Sequence, residues 1–415
     1  MEHTKFNLNF RKRINTRRQL FLIFMFIAFY GVALGIWENY KSDWLEQHGF
    51  SISNLSLIIS SGLLVAAALS MAIALVFKTL STKKIIAVCS SIKLLSMIAL
   101  ACFFEKNISN TLVFVVFMID TICGQLVVFS IYPLMAASVQ NNKLYGKRKL
   151  LDWFMNDVGL VIAMCIFTIM PKGSFRYNLL LIISIVFVAV SVVLAYMFEE
   201  PPVEKSKVNL KRIFCDKITT LFVWGYTFVG TISYNIVLGM QAIMLQTLAG
   251  LSIAQVSIFL LVASLAGDVV GYISLLKFTA RHGKSAIILK FCVRCFGYLL
   301  VVATGNWVVL LIATFLSLLV SRSFSHVTDG PYLNRVGRSE QFIMTNYKLA
   351  AEYAGKAIGI VLAAELFKSG MRAVFGLSAG LMLVQIAVAF WINHLRQKER
   401  VCRRNVYFAD KIERS

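Results

Sequence analysis

Three charged residues recur at four-residue intervals within one long apolar stretch of this sequence: Lys348, Glu352 and Lys356. Side chains four residues apart share one face of a helix, so two cations would flank one acid. Such a face can bind an anionic group of a ligand, exchange a proton at Glu352, or form a structural ion-pair network with acids of another helix. Asp152 and Asp157 are the acids expected for that network.

Asp120 lies near the middle of another apolar stretch, with no base beside it in the sequence. A buried carboxyl group in this setting is a candidate for proton or cation coupling, and the alternative is a hydrogen-bonded structural acid. Arg322 is a candidate counterpart from the second half of the chain. Its guanidinium stays charged and can hold a carboxylate or phosphate through two hydrogen bonds, or it can extend to the membrane surface. Arg281 joins Asp152 and Asp157 as a candidate for an interhelical gate.

Polar and aromatic residues follow one another along a third apolar stretch. Tyr226, Tyr234 and Gln241 are separated by eight and seven residues, which places them on about the same helix face, and Asn235 lies beside them. Tyr234, Asn235 and Gln241 are therefore candidates to line a substrate pocket. An aromatic stripe that faces lipid is the alternative.

Other charges are interpreted structurally. Glu38 follows Trp37, and the pair is typical of a solvated acid beside an interfacial aromatic ring. Asp268 is expected to cap a neighbouring helix or to pair with Arg294. Pairs of glycines four residues apart predict close helix packing. These pairs are Gly31/Gly35, Gly267/Gly271, Gly355/Gly359 and Gly376/Gly380.

The elements that must position these residues are membrane-spanning helices. Of the 415 residues, 58% are hydrophobic and 15% are charged, an excess of apolar residues that a water-soluble protein could not cover. Twelve apolar runs reach the length of about 20 residues that a membrane requires, and in lipid such runs are helical. Spans 1 to 12 are 20–40, 53–77, 84–104, 110–138, 150–170, 178–198, 218–246, 253–276, 285–304, 307–328, 342–366 and 371–393.

The distribution of basic residues predicts the orientation. With both termini in the cytoplasm, Lys and Arg are in roughly fivefold excess on the inner side, as the positive-inside rule requires. The chain then divides into a basic cytoplasmic arm, a six-helix bundle, a cytoplasmic central loop, a second six-helix bundle and a basic tail. Their ranges are 1–19, 20–198, 199–217, 218–393 and 394–415. The net charge of +22 is thereby explained by contacts with lipid headgroups rather than with nucleic acid.

The two halves of the chain resemble each other. Gly49 to Ser56 opens span 2, and Gly250 to Ser257 opens span 8 with a similar pattern. At the same offset of 201 residues Lys93 of span 3 matches Arg294 of span 9, and at an offset of 196 Asp152 of span 5 matches Lys348 of span 11. Repeated halves are typical of transporters in which two bundles rock about a central site.

The twelve spans, the paired halves and a basic central loop resemble the major facilitator superfamily. Arg281-His282-Gly283-Lys284 partly matches the basic motif of that family between spans 8 and 9, and Lys83-Lys84 partly matches its copy between spans 2 and 3. Asp120 stands where many members carry an arginine. The resemblance implies an all-α fold of two pseudo-symmetric six-helix bundles, with span 4 facing a central cavity and spans 5 and 11 meeting where the bundles face each other.

The function expected from these observations is secondary active transport of a small polar or charged solute by alternating access, coupled to protons. We expect the protein to lie in the plasma membrane and to function as a monomer. The alternative is a non-transporting accessory or sensor protein on the same scaffold. A membrane-embedded enzyme is disfavoured, because the five histidines include no pair at metal-binding spacing and no phosphate-binding loop or nucleophile elbow occurs. We therefore expect no metal and no cofactor.

Overall fold

The computed structural model describes residues 2–47, 52–76, 82–103, 109–138, 142–170, 174–199, 210–238, 241–277, 283–323 and 338–413, some of them, including Gln241 and Arg322, by their backbone only. Nearly all of these residues are helical, and no strand occurs among them. The helices of spans 1 to 6 are Glu2–Gln47, Ile52–Val76, Thr82–Cys102, Asn110–Ser138, Asn142–Ile169 and Ser174–Tyr196. A short helix, Leu210–Phe214, follows. Span 7 comprises Lys217–Thr220, Leu221–Phe228, Val229–Leu238 and Gln241–Ala249, and spans 8 to 12 are Ile253–Lys277, Gly283–Thr304, Trp307–Ser323, Arg338–Lys368 and Met371–Glu413.

Within the described residues, seven helical segments are long and apolar enough to cross a membrane: Arg18–Glu38, Thr82–Cys102, Asn110–Ile131, Phe175–Tyr196, Lys217–Leu238, Gln255–Ile273 and Met371–Lys398. Three shorter apolar helices belong to spans 2, 5 and 10. The helix of span 11 is absent from this set because Lys348, Glu352 and Lys356 lie at its centre. The chain is a multi-pass integral membrane protein.

Helix packing repeats between the two halves. In the first half span 1 packs on spans 5 and 6, span 3 on spans 4 and 6, and span 2 on span 4. The same contacts recur in the second half, where span 7 packs on spans 11 and 12, span 9 on spans 10 and 12, and span 8 on span 10. The fold therefore consists of two pseudo-symmetric six-helix bundles, as the repeat in the sequence predicts.

Span 4 also contacts span 11, but among the described residues the bundles meet mainly through two helix pairs, span 2 with span 11 and span 5 with span 8. The pseudo-symmetry exchanges these pairs. One hydrogen bond crosses the first pair, from the Ser60 hydroxyl to the Ala357 carbonyl oxygen at 3.2 Å. The expected meeting of spans 5 and 11 is not one of the main contacts between the bundles in the described residues, although Asp152 is close enough to Tyr353 for an electrostatic interaction.

Span 7 includes a π-helix, Leu221–Phe228, between two α-helical segments. The wider turn places Gly225 beside Val388 of span 12, where a Cβ atom would come within 2.9 Å of that side chain. The Gln385 side chain of the same helix donates a hydrogen bond of 2.9 Å to the Tyr226 carbonyl oxygen. Despite this change of helix type, Tyr226 and Tyr234 face span 9, since the Tyr226 ring packs edge-on against Phe291 with centroids 5.6 Å apart and the Tyr234 ring covers Arg294.

Glycines bring two helix pairs into backbone contact. A Cβ atom on Gly35 would overlap the Asn156 backbone of span 5, and one on Gly159 would overlap the Val32 carbonyl of span 1. Gly355 and Gly359 bring span 11 equally close to span 7, since Cβ atoms there would lie 2.7 Å and 2.9 Å from carbonyl oxygens of that helix. For Gly376 and Gly380 the predicted packing is wrong, because a Cβ atom at either residue would have no atom of the described residues within 4 Å outside its own helix.

We predict that Gly35→Ala destabilises the protein by about 1–3 kcal/mol, since the added methyl group forces two packed helices apart. Thermal unfolding of the purified protein in detergent measures the effect. Gly376→Ala is the matched control and is expected to leave the unfolding temperature unchanged or slightly raised, because alanine is the better helix former. Equal unfolding temperatures for the two variants would contradict the close contact of spans 1 and 5.

Candidate functional site

A fully buried ion pair lies at the centre of the first bundle. The Lys93 ammonium of span 3 is 2.8 Å from a carboxylate oxygen of Asp120 on span 4. The two side chains are 1% and 0% exposed, so neither charge is hydrated. Each group therefore depends on the other, because an isolated charge in the membrane interior costs about 2.5–3.5 kcal/mol on insertion scales.

Span 1 completes the surroundings of Asp120. The Trp37 indole Nε1 donates a hydrogen bond of 3.0 Å to the second carboxylate oxygen, Oδ2. One turn beyond Asp120, Gly124 leaves room for the Lys93 side chain, whose Nζ would lie 3.0 Å from a Cβ atom at that position. The Tyr30 hydroxyl donates to the Gly124 carbonyl oxygen at 3.3 Å. Spans 1, 3 and 4 thus converge on one carboxylate.

Glu38 extends this pair into a chain of alternating charges. Its carboxylate lies 3.6 Å from the Lys93 ammonium and forms a second ion pair with Lys41, three residues further along the same helix. Lys41 is buried, and its ammonium lies 5.3 Å from the centre of the Phe117 ring. The order of charges from one end to the other is therefore Lys41, Glu38, Lys93 and Asp120.

The second bundle contributes further charges through span 11. Lys348 and Glu352 form an ion pair of 3.3 Å along one helix face. One turn further, the Lys356 ammonium lies 5.9 Å from the centre of the Tyr353 ring and interacts electrostatically with Glu38. Glu38 is thus a point where charges of the two bundles act on each other.

The remaining residues predicted from the sequence are distributed around this network. Asn235 is buried and donates a hydrogen bond of 2.8 Å to the Thr231 carbonyl oxygen of its own helix. Asp157 is buried and Asp152 partly buried within span 5. Arg281 lies outside the described residues, as do the side chains of Gln241 and Arg322.

Glu38 and its neighbours are residues that the sequence analysis did not assign to a site. The interpretation of Trp37 as an interfacial ring is wrong, because Trp37 is only 2% exposed and donates to Asp120. Glu38 beside it is 23% exposed but is held by two lysines, which the sequence analysis did not predict. The sequence does contain a signal for this ion pair, since a lysine at the middle of span 3 requires an acid nearby. Spans 3 and 4 are adjacent in the chain, so Asp120 was the acid to test first.

Similar proteins are found by comparison of structures and not by comparison of sequences. No protein-family model matches the sequence, and no curated protein matches it either. The structure of the human organic anion transporter MFSD10 matches with a TM-score of 0.71 and 12% identity, over 90% of this chain and 99% of that chain. The E. coli fucose:proton symporter FucP matches with a TM-score of 0.68 and 12% identity, over 89% and 97% of the two chains. This chain has the major facilitator superfamily fold.

A third solved structure agrees with this assignment. The major facilitator superfamily proton:xylose symporter XylE matches with a TM-score of 0.68 and 13% identity, over 91% of this chain and 96% of that chain. The major facilitator fold expected from the paired halves is therefore confirmed over nearly the whole chain. At these identities the likeness concerns the fold, so the function must be argued from the charges that the fold brings together.

We predict that Lys93 and Asp120 are energetically coupled. Lys93→Met should destabilise the protein by about 3–5 kcal/mol, because it leaves a buried carboxylate with Trp37 as its remaining described partner. Asp120→Leu should cost less, because Lys93 keeps Glu38 at 3.6 Å. The double variant should recover most of the stability, since an apolar pair of similar volume replaces a desolvated ion pair. Thermal unfolding in detergent gives the three values, and strictly additive losses would contradict the pairing.

Proposed function

We propose that this protein is a secondary active transporter that moves a small polar or charged solute across a membrane. The two six-helix bundles would alternate about a central site, and protons would be the coupling ion. The observation that carries the proposal is the network of buried Lys41, Lys93 and Asp120 with partly buried Glu38. The charge of Lys356 from the other bundle also acts on this network.

The small net stabilisation given by buried ion pairs supports a functional role for these charges. A buried ion pair is often no more stabilising than apolar residues of the same volume, so stability alone gives little reason to keep four charges in an apolar bundle. Ionisable residues within membrane spans typically mark ion and substrate pathways. Two of the three similar structures reported above are proton symporters of sugars and the third transports organic anions, which supports a small solute and a proton in general terms.

The network suggests how protonation could drive the conformational change. When Glu38 is charged it attracts Lys356, so the attraction favours the arrangement in which the bundles approach each other at this point. A proton on Glu352, which is partly exposed and pairs with Lys348 at 3.3 Å, removes the repulsion between its carboxylate and that of Glu38 and so strengthens the attraction. Protonation therefore changes the free-energy difference between two arrangements of the bundles, which is what coupling requires. In this proposal Asp120 and Lys93 hold the site together and Glu352 exchanges the proton, whereas Lys348 and Lys356 supply charges to the solute.

Orientation and assembly are part of the proposal. The excess of Lys and Arg on one side supports cytoplasmic termini in the plasma membrane. A single chain contains both bundles, so we propose that the monomer is the transporting unit.

The test is solute uptake into proteoliposomes with an imposed pH gradient, using a panel of sugars, nucleosides, amino acids and carboxylates. The wild type should accumulate at least one of them in a gradient-dependent manner. Asp120→Asn and Glu352→Gln should each abolish accumulation while the purified protein remains folded. Glu365→Gln is the matched control, because Glu365 forms a solvent-exposed ion pair with Lys368 and both side chains are 66% exposed.

Three results would contradict all or part of this proposal. Accumulation at the wild-type level in both Asp120→Asn and Glu352→Gln would overturn the assignment of the site. Absence of flux for every solute, with protein shown to be folded and inserted, would favour the accessory or sensor function. Flux driven by sodium instead of protons would retain transport and replace the coupling ion.

A further inference from the structure

Arg294 of span 9 is a buried cation with neutral surroundings. The residue is 4% exposed. Its Nε donates a hydrogen bond of 3.1 Å to the Ser317 hydroxyl, and its guanidinium carbon lies 4.8 Å and 5.8 Å from the ring centres of Tyr234 and Tyr298. The Tyr298 hydroxyl also contacts Ser317, at 2.8 Å. A serine and two aromatic rings therefore surround a full positive charge.

The guanidinium is incompletely satisfied. Its Nη2 atom is buried and, among the described residues, has no hydrogen-bond partner. Within the same part of the chain no carboxylate forms an ion pair with it, so the pairing with Asp268 expected from the sequence is not formed. Hydrogen bonds from a guanidinium to neutral groups and aromatic contacts recover only part of the free energy of dehydration.

In the first bundle the equivalent cation has an acidic partner. Lys93 is the repeat counterpart of Arg294, and an offset of 197 residues relates Trp37 to Tyr234 and Asp120 to Ser317. In both bundles the cation of the third helix binds the fourth helix, and an aromatic residue of the first helix completes the contact. The difference is that the first bundle supplies an acid where the second supplies Ser317. Among the described residues, the second bundle therefore has the cation at this position without the anion.

We propose that Arg294 binds an anionic group of the transported solute, a carboxylate or a phosphate, in the place that the Asp120 carboxylate occupies in the first bundle. The proposal rests on the transport function proposed above and names the class of solute. The Nη2 atom supplies a donor for an oxygen atom of the anion, in the charge-assisted geometry that guanidinium groups favour. The ring of the partly exposed Tyr234 covers the guanidinium at 4.8 Å, and in this proposal displacement of the ring opens the way to the solute.

The test measures binding rather than transport, so that it stands apart from the function proposed above. Wild-type protein in lipid nanodiscs is titrated by equilibrium dialysis with radiolabelled benzoate, inorganic phosphate and the neutral analogue benzamide. We expect saturable binding of at least one of the two anions and none of benzamide. Saturation by benzoate alone identifies a carboxylate site, and saturation by phosphate alone identifies a phosphate site.

Variants assign the binding to Arg294. Arg294→Gln should weaken it by at least about tenfold, the loss expected for a charge-assisted hydrogen bond, and Arg294→Lys by less. Arg18→Gln, at an exposed arginine of span 1, is the matched control and should bind as the wild type does.

Ser317→Asp is the more specific variant, because it introduces the acid that the first bundle has. It should raise the unfolding temperature by pairing with Arg294 and at the same time abolish anion binding, whereas the neutral Ser317→Asn should weaken binding by less. This variant keeps the proposal testable even where Arg294→Gln does not fold.

Three results would overturn the proposal: no saturable binding of either anion to the wild type, unchanged binding in folded Arg294→Gln, or a stabilised Ser317→Asp that still binds the anion. Anion binding that depends on Arg294 in a protein without any flux would support the proposal and contradict transport. Gradient-driven flux of neutral solutes alone, with no anion bound, would do the reverse.

Discussion

The low polarity of the membrane interior imposes the condition on which this structure depends: every charge within a span needs a partner, either inside the protein or in a bound ligand. Lys93 reaches Asp120 from the neighbouring helix, and Trp37 reaches the same carboxylate from span 1. Spans 1, 3 and 4 of the first bundle are thereby held together at the Asp120 side chain. Because the Lys93 and Asp120 charges are fully buried, separating them would leave both without solvent. The pair therefore helps to fix the specific arrangement of spans 1, 3 and 4, together with the apolar contacts around it.

The duplicated architecture makes the differences between the bundles informative. The same helix pairs are packed in both halves, and the glycine contacts of spans 1 and 5 recur between spans 7 and 11. Against this common background the electrostatics differ. The first bundle neutralises its buried lysine with its own acids, whereas the second surrounds its arginine with hydroxyl groups and rings. Because the two bundles pack in the same way, packing does not explain why one of two equivalent positions carries an acid and the other a serine.

Sequence patterns predicted the fold well because hydropathy and repetition are local or periodic signals. The long apolar runs led to the helices, and the matching halves led to the two bundles. The site was harder to predict because its members come from different helices and their meeting depends on helix rotation. Glu38 illustrates the difficulty: its position beyond Trp37 suggested contact with water, and only the packing of span 1 against spans 3 and 4 shows that it lies between two lysines. Gly376 illustrates the opposite error, since a four-residue spacing of glycines does not reveal whether a neighbouring helix is present on that face.

The close glycine contacts have a mechanical consequence. Since the backbones of spans 1 and 5 touch at Gly35 and Gly159, neither helix can turn about its axis without displacing the other. Span 5 in turn touches span 8 of the other bundle, so a shift at that contact is transmitted to Trp37 and Glu38. Spans 7 and 11 form the equivalent unit, which carries Lys356 and touches span 2. Any movement of the bundles would therefore displace each of these helix pairs as one unit, with a charge on one side and a contact with the opposite bundle on the other.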